Sequence, residues 1–276
     1  MSIQSYTGLL LVACCFAQGQ KLSVGLVEAE MLEQHLRDFP LDNEKRQQRA
    51  KELFEKVNCP KIVLVPLGKK DYPSNVVCIL PGENTRTILV GAHFDKVRPG
   101  EGKIDNATGV VLLSSLMRAL QNSPRRHTFM FVAFAEEEVG LLGSAAMVKK
   151  GVDGLAGKEW IDSLSAMINI DSVGAGVTAI ALSYSDQELA NIAFSLARKL
   201  EIPVRAVNVD AVGMSDGSNF AKKKVRTVEF HSLDNTNFKV LHSILDTMDA
   251  FRSKEYSEAY RLLAFYLAQL DHYLDR

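Results

Sequence analysis

The chain of 276 residues is 47% hydrophobic and balances 32 basic against 33 acidic side chains, for a formal net charge of −1. That length supports one substantial core and is too short for two comfortable domains. The even charge excludes an electrostatic footprint for nucleic acid or an anionic membrane, which leaves a peptide or small molecule as the expected partner.

The N-terminus reads GLLLVACCFAQGQ, with an apolar run over Gly8 to Ala17 that ends in small residues. Its length matches the core of a signal peptide and falls well short of a membrane span. A leader over residues 1–19 and an exported product (periplasmic, cell-surface or secreted) are expected. Residues 1–7 contain no Lys or Arg, so the usual basic n-region is missing, and a buried strand or helix is the alternative. Leu11-Val12-Ala13-Cys14 also resembles a lipobox, in which Cys14 would carry a lipid anchor. Only Cys59 and Cys78 then remain for the folded domain, either as one disulfide or as two free buried thiols.

Helices are predicted over Val27 to Phe39 and Asp42 to Val57, the second with Ala50, Leu53, Phe54 and Val57 on one stripe. Apolar β-rich runs follow at Ile62 to Leu67, Asn75 to Leu80, Thr87 to Ala92, Thr128 to Phe134, Ala166 to Ile170, Val177 to Leu182 and Thr227 to Phe230. Several are almost continuously apolar, as strands buried on both faces are. Helical patterns at Ala107 to Leu120, Gly143 to Lys150 and Asp186 to Leu200 lie between them. A last helix aligns Tyr256, Tyr260, Leu263, Leu267 and Leu270. This alternation predicts a single α/β domain with a central mixed, largely parallel sheet flanked by helices. Functional loops should then leave the carboxyl ends of the strands.

Five clusters fall at such loops. His93-Phe94-Asp95 follows an apolar strand, and in this spacing an imidazole can bind a metal while the aspartate accepts its other N–H. Asp105-Asn106-Ala107-Thr108-Gly109 opens a helix, where Asp105 is either a plain N-cap or a carboxylate bridging two cations. Glu136-Glu137-Glu138 ends a strand with three mutually repelling carboxylates, which a cation would reconcile and a solvated loop would tolerate. Asn169-Ile170-Asp171 again puts an acid at a strand end. His242-Ser243-Ile244-Leu245-Asp246-Thr247 is the fifth.

In this order the blocks resemble the zinc aminopeptidase family that contains bacterial leucyl aminopeptidases and, more distantly, glutamate carboxypeptidase and glutaminyl cyclase. The resemblance runs from about Val76 to the C-terminus and implies a zinc peptidase domain over residues 20–276. It implies two zinc ions per subunit: His93 and Asp171 on one, Glu138 and His242 on the other, and Asp105 bridging. Asp95 would support His93 from behind, and Glu137 would be the catalytic base. The expected reaction is hydrolysis of a peptide substrate by metal-activated water, as an aminopeptidase. Family members often carry a tyrosine shortly before the Ser-Asp matching Ser215-Asp216. Here the stretch is Asp210-Ala211-Val212-Gly213-Met214, so oxyanion stabilisation would rest on zinc or on a donor such as His231. His35, His127 and His272 are read as surface or packing residues.

The alternatives are a glutaminyl cyclase on the same fold and a non-catalytic binding ectodomain. A two-zinc desuccinylase or deacetylase is disfavoured, because the interval from Asp171 to His242 is too short for the dimerisation domain those chains insert.

Overall fold

The computed structural model describes residues 9–15, 21–68, 72–152, 154, 156–208 and 213–274. The expected leader over 1–19 is described only in β1 (Leu9–Cys15), which pairs antiparallel with β2 (Lys21–Val27). The end of β2 enters the core: Val24 and Leu26 are buried, and the Val27 N–H donates to the Tyr260 hydroxyl at 3.2 Å. Val27 therefore belongs to a strand, and the first predicted helix starts later, as α1 (Ala29–Arg37). In α2 (Asn43–Lys56) the Asp42 carboxylate caps the N-terminus by accepting from Glu44 N at 3.1 Å, which satisfies one of the orphan donors of a first turn.

The remaining elements are β3 (Lys61–Pro66), β4 (Ser74–Leu80), β5 (Thr87–His93), α3 (Thr108–Leu120), β6 (Thr128–Phe134), α4 (Leu142–Lys150), α5 (Gly157–Ser163) and β7 (Leu164–Ile170). They continue through β8 (Ala179–Ala181), α6 (Gln187–Lys199), β9 (Arg205–Val207), α7 (Gly217–Ala221), β10 (Thr227–His231) and α8 (Ser253–Tyr273). Eight strands form one sheet in the order β3-β4-β6-β5-β7-β10-β8-β9. The central strands β6, β5, β7 and β10 run parallel, while β3, β4 and β8 are antiparallel to a neighbour.

Side-chain alternation splits the apolar residues of this sheet between two cores. Ile88, Val90, Phe129, Phe131, Ile168 and Phe230 face α3, α6 and α8, together with Leu32, Leu53 and Phe54 of the N-terminal helices. Leu89, Met130, Val132 and Met167 face the other way, against Met147 of α4, Trp160 of α5 and Phe220 of α7. Each fully buried side chain of this size contributes roughly 1.5–3 kcal/mol. The last helix is also held by polar groups, since the hydroxyls of Tyr256, Tyr260 and Tyr266 donate to the carbonyls of Thr108, Ser115 and Leu189 at 2.7, 3.2 and 3.0 Å.

The strand predicted over Val177 to Leu182 shortens to β8, because the chain bends into a 3-10 turn at Leu182–Tyr184 that leaves Leu182 46% exposed. Helices α5 and α7 and strand β9 have no counterpart among the predicted elements. His127 is fully buried, with its ring Nδ1 3.2 Å from Asp271 Oδ1.

Cys59 and Cys78 form a disulfide with Cα atoms 6.0 Å apart, tying the turn after α2 to β4. Crosslinking residues 19 positions apart restricts the unfolded chain by about 3 kcal/mol. Reduction, or the Cys59→Ala/Cys78→Ala double variant, is expected to lower the unfolding free energy by that amount and with it the urea midpoint, and to raise the m-value, because the unlinked unfolded chain is less compact. An unchanged midpoint under reductant would show that the bridge contributes nothing.

Candidate metal centre and active site

The parallel centre of the sheet sends β5, β6, β7 and β10 out at one edge, and the expected site residues leave from those ends. His93 is the last residue of β5 and is 1% exposed. Asp171 follows β7 directly, and its N–H bonds the carbonyl of Phe230 in β10 at 2.9 Å. Glu136, Glu137 and Glu138 follow β6 in a turn where Glu136 takes a φ of 57°, and Gly140, Leu141 and Leu142 bond back to the Glu137 and Glu136 carbonyls. His242 lies in the loop after a 3-10 turn at Phe238–Val240, with a φ of 54°.

Asp105 lies in an irregular turn over Lys103–Ala107, with φ −111° and ψ 89°, before α3 begins at Thr108. It is therefore not the N-cap of that helix. Its neighbour Asn106 bonds instead: Nδ2 donates to the Ile170 carbonyl at 2.9 Å, and Oδ1 accepts from the N–H groups of Gly109 and Ser172 at 3.0 and 3.2 Å. Gly109 is required by this closeness, since a Cβ there would meet Asn106 Oδ1 at 2.4 Å and Ile170 O at 2.8 Å.

The Asp105 carboxylate stands between two imidazoles. Oδ1 is 3.1 Å from His93 Nε2, and Oδ2 is 3.4 Å from His242 Nε2. Beyond His93, Asp171 Oδ1 is 3.6 Å away; beyond His242, Glu138 Oε2 is at 3.0 Å. Among the described residues three groups of possible metal donors result, each within 4.8 Å: His93 with Asp105 and Asp171, Asp105 with Glu138 and His242, and His93 with Glu137 and Glu138.

Electrostatics at this edge is dominated by buried acid. Burial pushes the Glu138 carboxyl up to about 7, with Asp105 adding to it, and burial pushes Glu137 up to about 10 despite the favourable charge of His93. Burial also opposes ionisation of Asp105, but hydrogen bonds from His242 and His93 outweigh it and hold that carboxyl below its usual range. The same contacts raise His242 to about 9, and they raise His93 against its own burial. Glu138 Oε1 is buried without a hydrogen-bond partner. Carboxylates packed this closely call for cations, and carboxylate oxygens with imidazole nitrogens are the donor set that suits zinc.

Asp95 differs in detail from the expected support. Nδ1 of His93 is 3.1 Å from the Asp95 backbone carbonyl and 3.6 Å from its carboxylate. The carboxylate itself accepts from the N–H groups of Glu137 and Glu138 at 3.0 and 3.1 Å. It therefore sets the position of the acidic turn. His231 ends β10, and its Nδ1 accepts from Leu233 N at 3.1 Å, which leaves the proton on Nε2. Burial pushes this ring down to about 4, so it is neutral, and Nε2–H is buried and unpartnered. The stretch where the family often has a tyrosine includes residues 209–212, which lie outside the described residues.

Two supports carry little sequence signal. Asp246 accepts from the N–H groups of Ile104 and Asp105 at 2.6 and 3.3 Å, so the His242 block also fixes the turn that bears Asp105. Arg46 of α2 is fully buried and donates to the carbonyls of Phe94, Pro40, Glu101 and Gly102, behind the acidic groups. In the run Glu44-Lys45-Arg46-Gln47-Gln48-Arg49 nothing in the sequence separates this arginine from exposed neighbours such as Glu44, Lys45 and Gln48.

Comparison with known proteins adds ancestry to this geometry. A vacuolar membrane protease of Saccharomyces cerevisiae is 34% identical over 122 residues, covering 43% of this chain and 12% of that protein. The chain thus spans about an eighth of the length of the curated relatives it matches. A zinc aminopeptidase from Bacillus subtilis superposes with a TM-score of 0.63 at 22% identity, over 71% of this chain and 50% of that one. A Bacteroides thetaiotaomicron glutaminyl cyclase superposes with a TM-score of 0.70 at 15% identity, over 87% and 97% of the two chains. The family model described as peptidase family M28 matches residues 75–267, which includes every residue of the candidate centre. The chain belongs to peptidase family M28.

Proposed function

We propose that this chain is a two-zinc exopeptidase of the aminopeptidase type. The observation that carries the reading is Asp105, one carboxylate with an oxygen toward each of two imidazoles and a further acid beyond each. His93 and Asp171 would hold one zinc, Glu138 and His242 the other, with Asp105 between them. The zinc named for the Bacillus aminopeptidase supports the choice of metal. When bound, the ions supply Lewis acidity toward a water and toward the scissile carbonyl.

The chain's own residues do the rest. Glu137 is half-buried beside the donor groups; with cations held there to offset the burial that favours its neutral form, its carboxylate would take the proton of the attacking water and return it to the leaving amine. Asp95 holds the backbone of Glu137 and Glu138, so base and ligand are positioned by one acceptor. His231 is assigned to the substrate side as a neutral N–H donor, not to a metal.

Export fits the Cys59–Cys78 disulfide, because such bonds persist in oxidising compartments. Among the described residues no helix is long and apolar enough to cross a membrane. If residues 1–19 are removed as a leader, intact-mass analysis of protein from its native host should place the first residue near Gln18 or Gln20. A product retaining the whole segment ends the leader reading.

A panel of free-amine, N-acetylated and N-terminal glutamine peptides, assayed with zinc, tests the activity. Free-amine peptides should lose their first residue and acetylated ones should persist. Cyclisation of the glutamine peptide without hydrolysis of the others would instead identify a glutaminyl cyclase, and inertness toward all three would leave a binding protein.

The roles separate by variants with metal content and turnover measured together. Glu137→Gln should keep both zincs and lower kcat by about 10²–10⁴, the range for a general base. Glu138→Gln and His242→Ala should each lose one zinc. His231→Ala should keep both and lower turnover alone, by about 10²–10³. Zinc loss from Glu137→Gln or His231→Ala, with normal occupancy in the other two, would reverse the assignment.

A further inference from the structure

Beneath the cleft, three elements bring together buried oxygen atoms that have no partners. Asn169 of β7 and Glu229 of β10 are neighbours across the parallel ladder, and Ser215 and Asp216 lead into α7. Asn169, Asp216 and Glu229 are 1%, 1% and 4% exposed. The Asn169 amide is turned toward Glu229, with Nδ2 donating to Oε2 at 2.8 Å. Its Oδ1, the Ser215 Oγ, both oxygens of Asp216 and Oε1 of Glu229 are buried without a hydrogen-bond partner. Ser215 lies close enough to favour the Glu229 carboxylate, and Ser144 the Asp216 carboxylate, without either completing a hydrogen bond.

Gly217 makes the arrangement sterically possible. A Cβ at that position would stand 1.9 Å from Glu229 Oε1 and 3.6 Å from Asn169 Cβ. The Glu229 carboxylate takes this position only because residue 217 has no side chain. The charges around the pair do not compensate it: Asp171 raises the carboxyls of both Asp216 and Glu229, and Asp95 raises that of Asp216, with His93 opposing only at Asp216. Native interiors leave few polar atoms unsatisfied, and a group of them marks an ion or ordered water.

We propose that Asn169, Ser215, Asp216 and Glu229 hold a structural divalent cation of the calcium class, separate from the zinc pair. Two carboxylates, an amide oxygen and a hydroxyl form an all-oxygen set with no imidazole or thiolate, which selects a hard cation over zinc, with water completing the shell. Such an ion would bind β7 and β10 to the start of α7, directly behind Asp171.

The experiment uses the full zinc-loaded chain, passed over a chelating resin and reloaded with zinc alone. Elemental analysis and the thermal midpoint are then followed as calcium chloride is added. The wild type should take up one equivalent of calcium with its zinc unchanged. Its midpoint should rise by roughly 4 °C at a hundredfold excess over Kd. Glu229→Gln should lose that response. Gly217→Ala should lose it too, by displacing the Glu229 carboxylate with no change of charge, so one of the two remains informative if the other folds poorly. A wild-type midpoint indifferent to calcium, with no metal but zinc retained, overturns the proposal and leaves protons on the two carboxyls. A calcium response equal in Gly217→Ala and wild type overturns the location. Zinc content and peptide turnover, read in parallel, keep failure here distinct from failure of the peptidase assignment.

Discussion

Carboxylates at the edge of four parallel strands repel one another, and the rest of this structure is arranged around that repulsion. Asp105, Glu137, Glu138 and Asp171 converge where β5, β6 and β7 end, in surroundings that push Glu137 and Glu138 far toward their neutral forms. Only positive charge placed among them makes the arrangement favourable. Two imidazoles provide part of it, and metal held by the donor groups about Asp105 would provide the remainder. The same crowding extends downward to Asp216 and Glu229, both raised chiefly by burial.

Holding such a group in place falls to the backbone as much as to the side chains. Asp95 fixes the acidic turn through two N–H groups, Asp246 fixes the turn of Asp105 through two more, and Asn106 joins the end of β7 to the start of α3. Arg46 adds a buried cation each of whose nitrogens donates to a carbonyl, so it stiffens the loops around the cleft. These supports are hydrogen bonds to or from the main chain, the kind that orients a ligand without competing for its lone pairs.

The legible part of the sequence was the part written in periodicity and in strand-end chemistry. Continuous apolar runs marked β4 to β7 and β10, and the acid or histidine at the ends of β5, β6 and β7 marked the cleft. What stayed hidden depends on tertiary placement. Leu182 and Val177 look as strand-like as Ile180, yet only Ala179–Ala181 pairs. Arg46 lies among charged residues of a helix, and its burial follows from what packs over it. Asp95 has the spacing to bond His93, but the backbone of the turn after β6 takes its carboxylate. Glu229 reads as a polar interruption in a buried strand, and its meaning appears only when Gly217 is seen against it.

The contacts between Asp246 and the turn of Asp105 join residues 142 and 141 positions apart, and α8 closes over the core beneath α3 and α6 only after that point in the chain. A centre assembled from such distant segments has no local precursor. Loop closure must be largely complete before the Asp171 and His242 ligands can join those nearer in sequence. Metal affinity in this protein is therefore a property of the finished topology, and uptake of the ions during refolding would report the last step of folding, while the bound ions would in turn draw the equilibrium toward the native state.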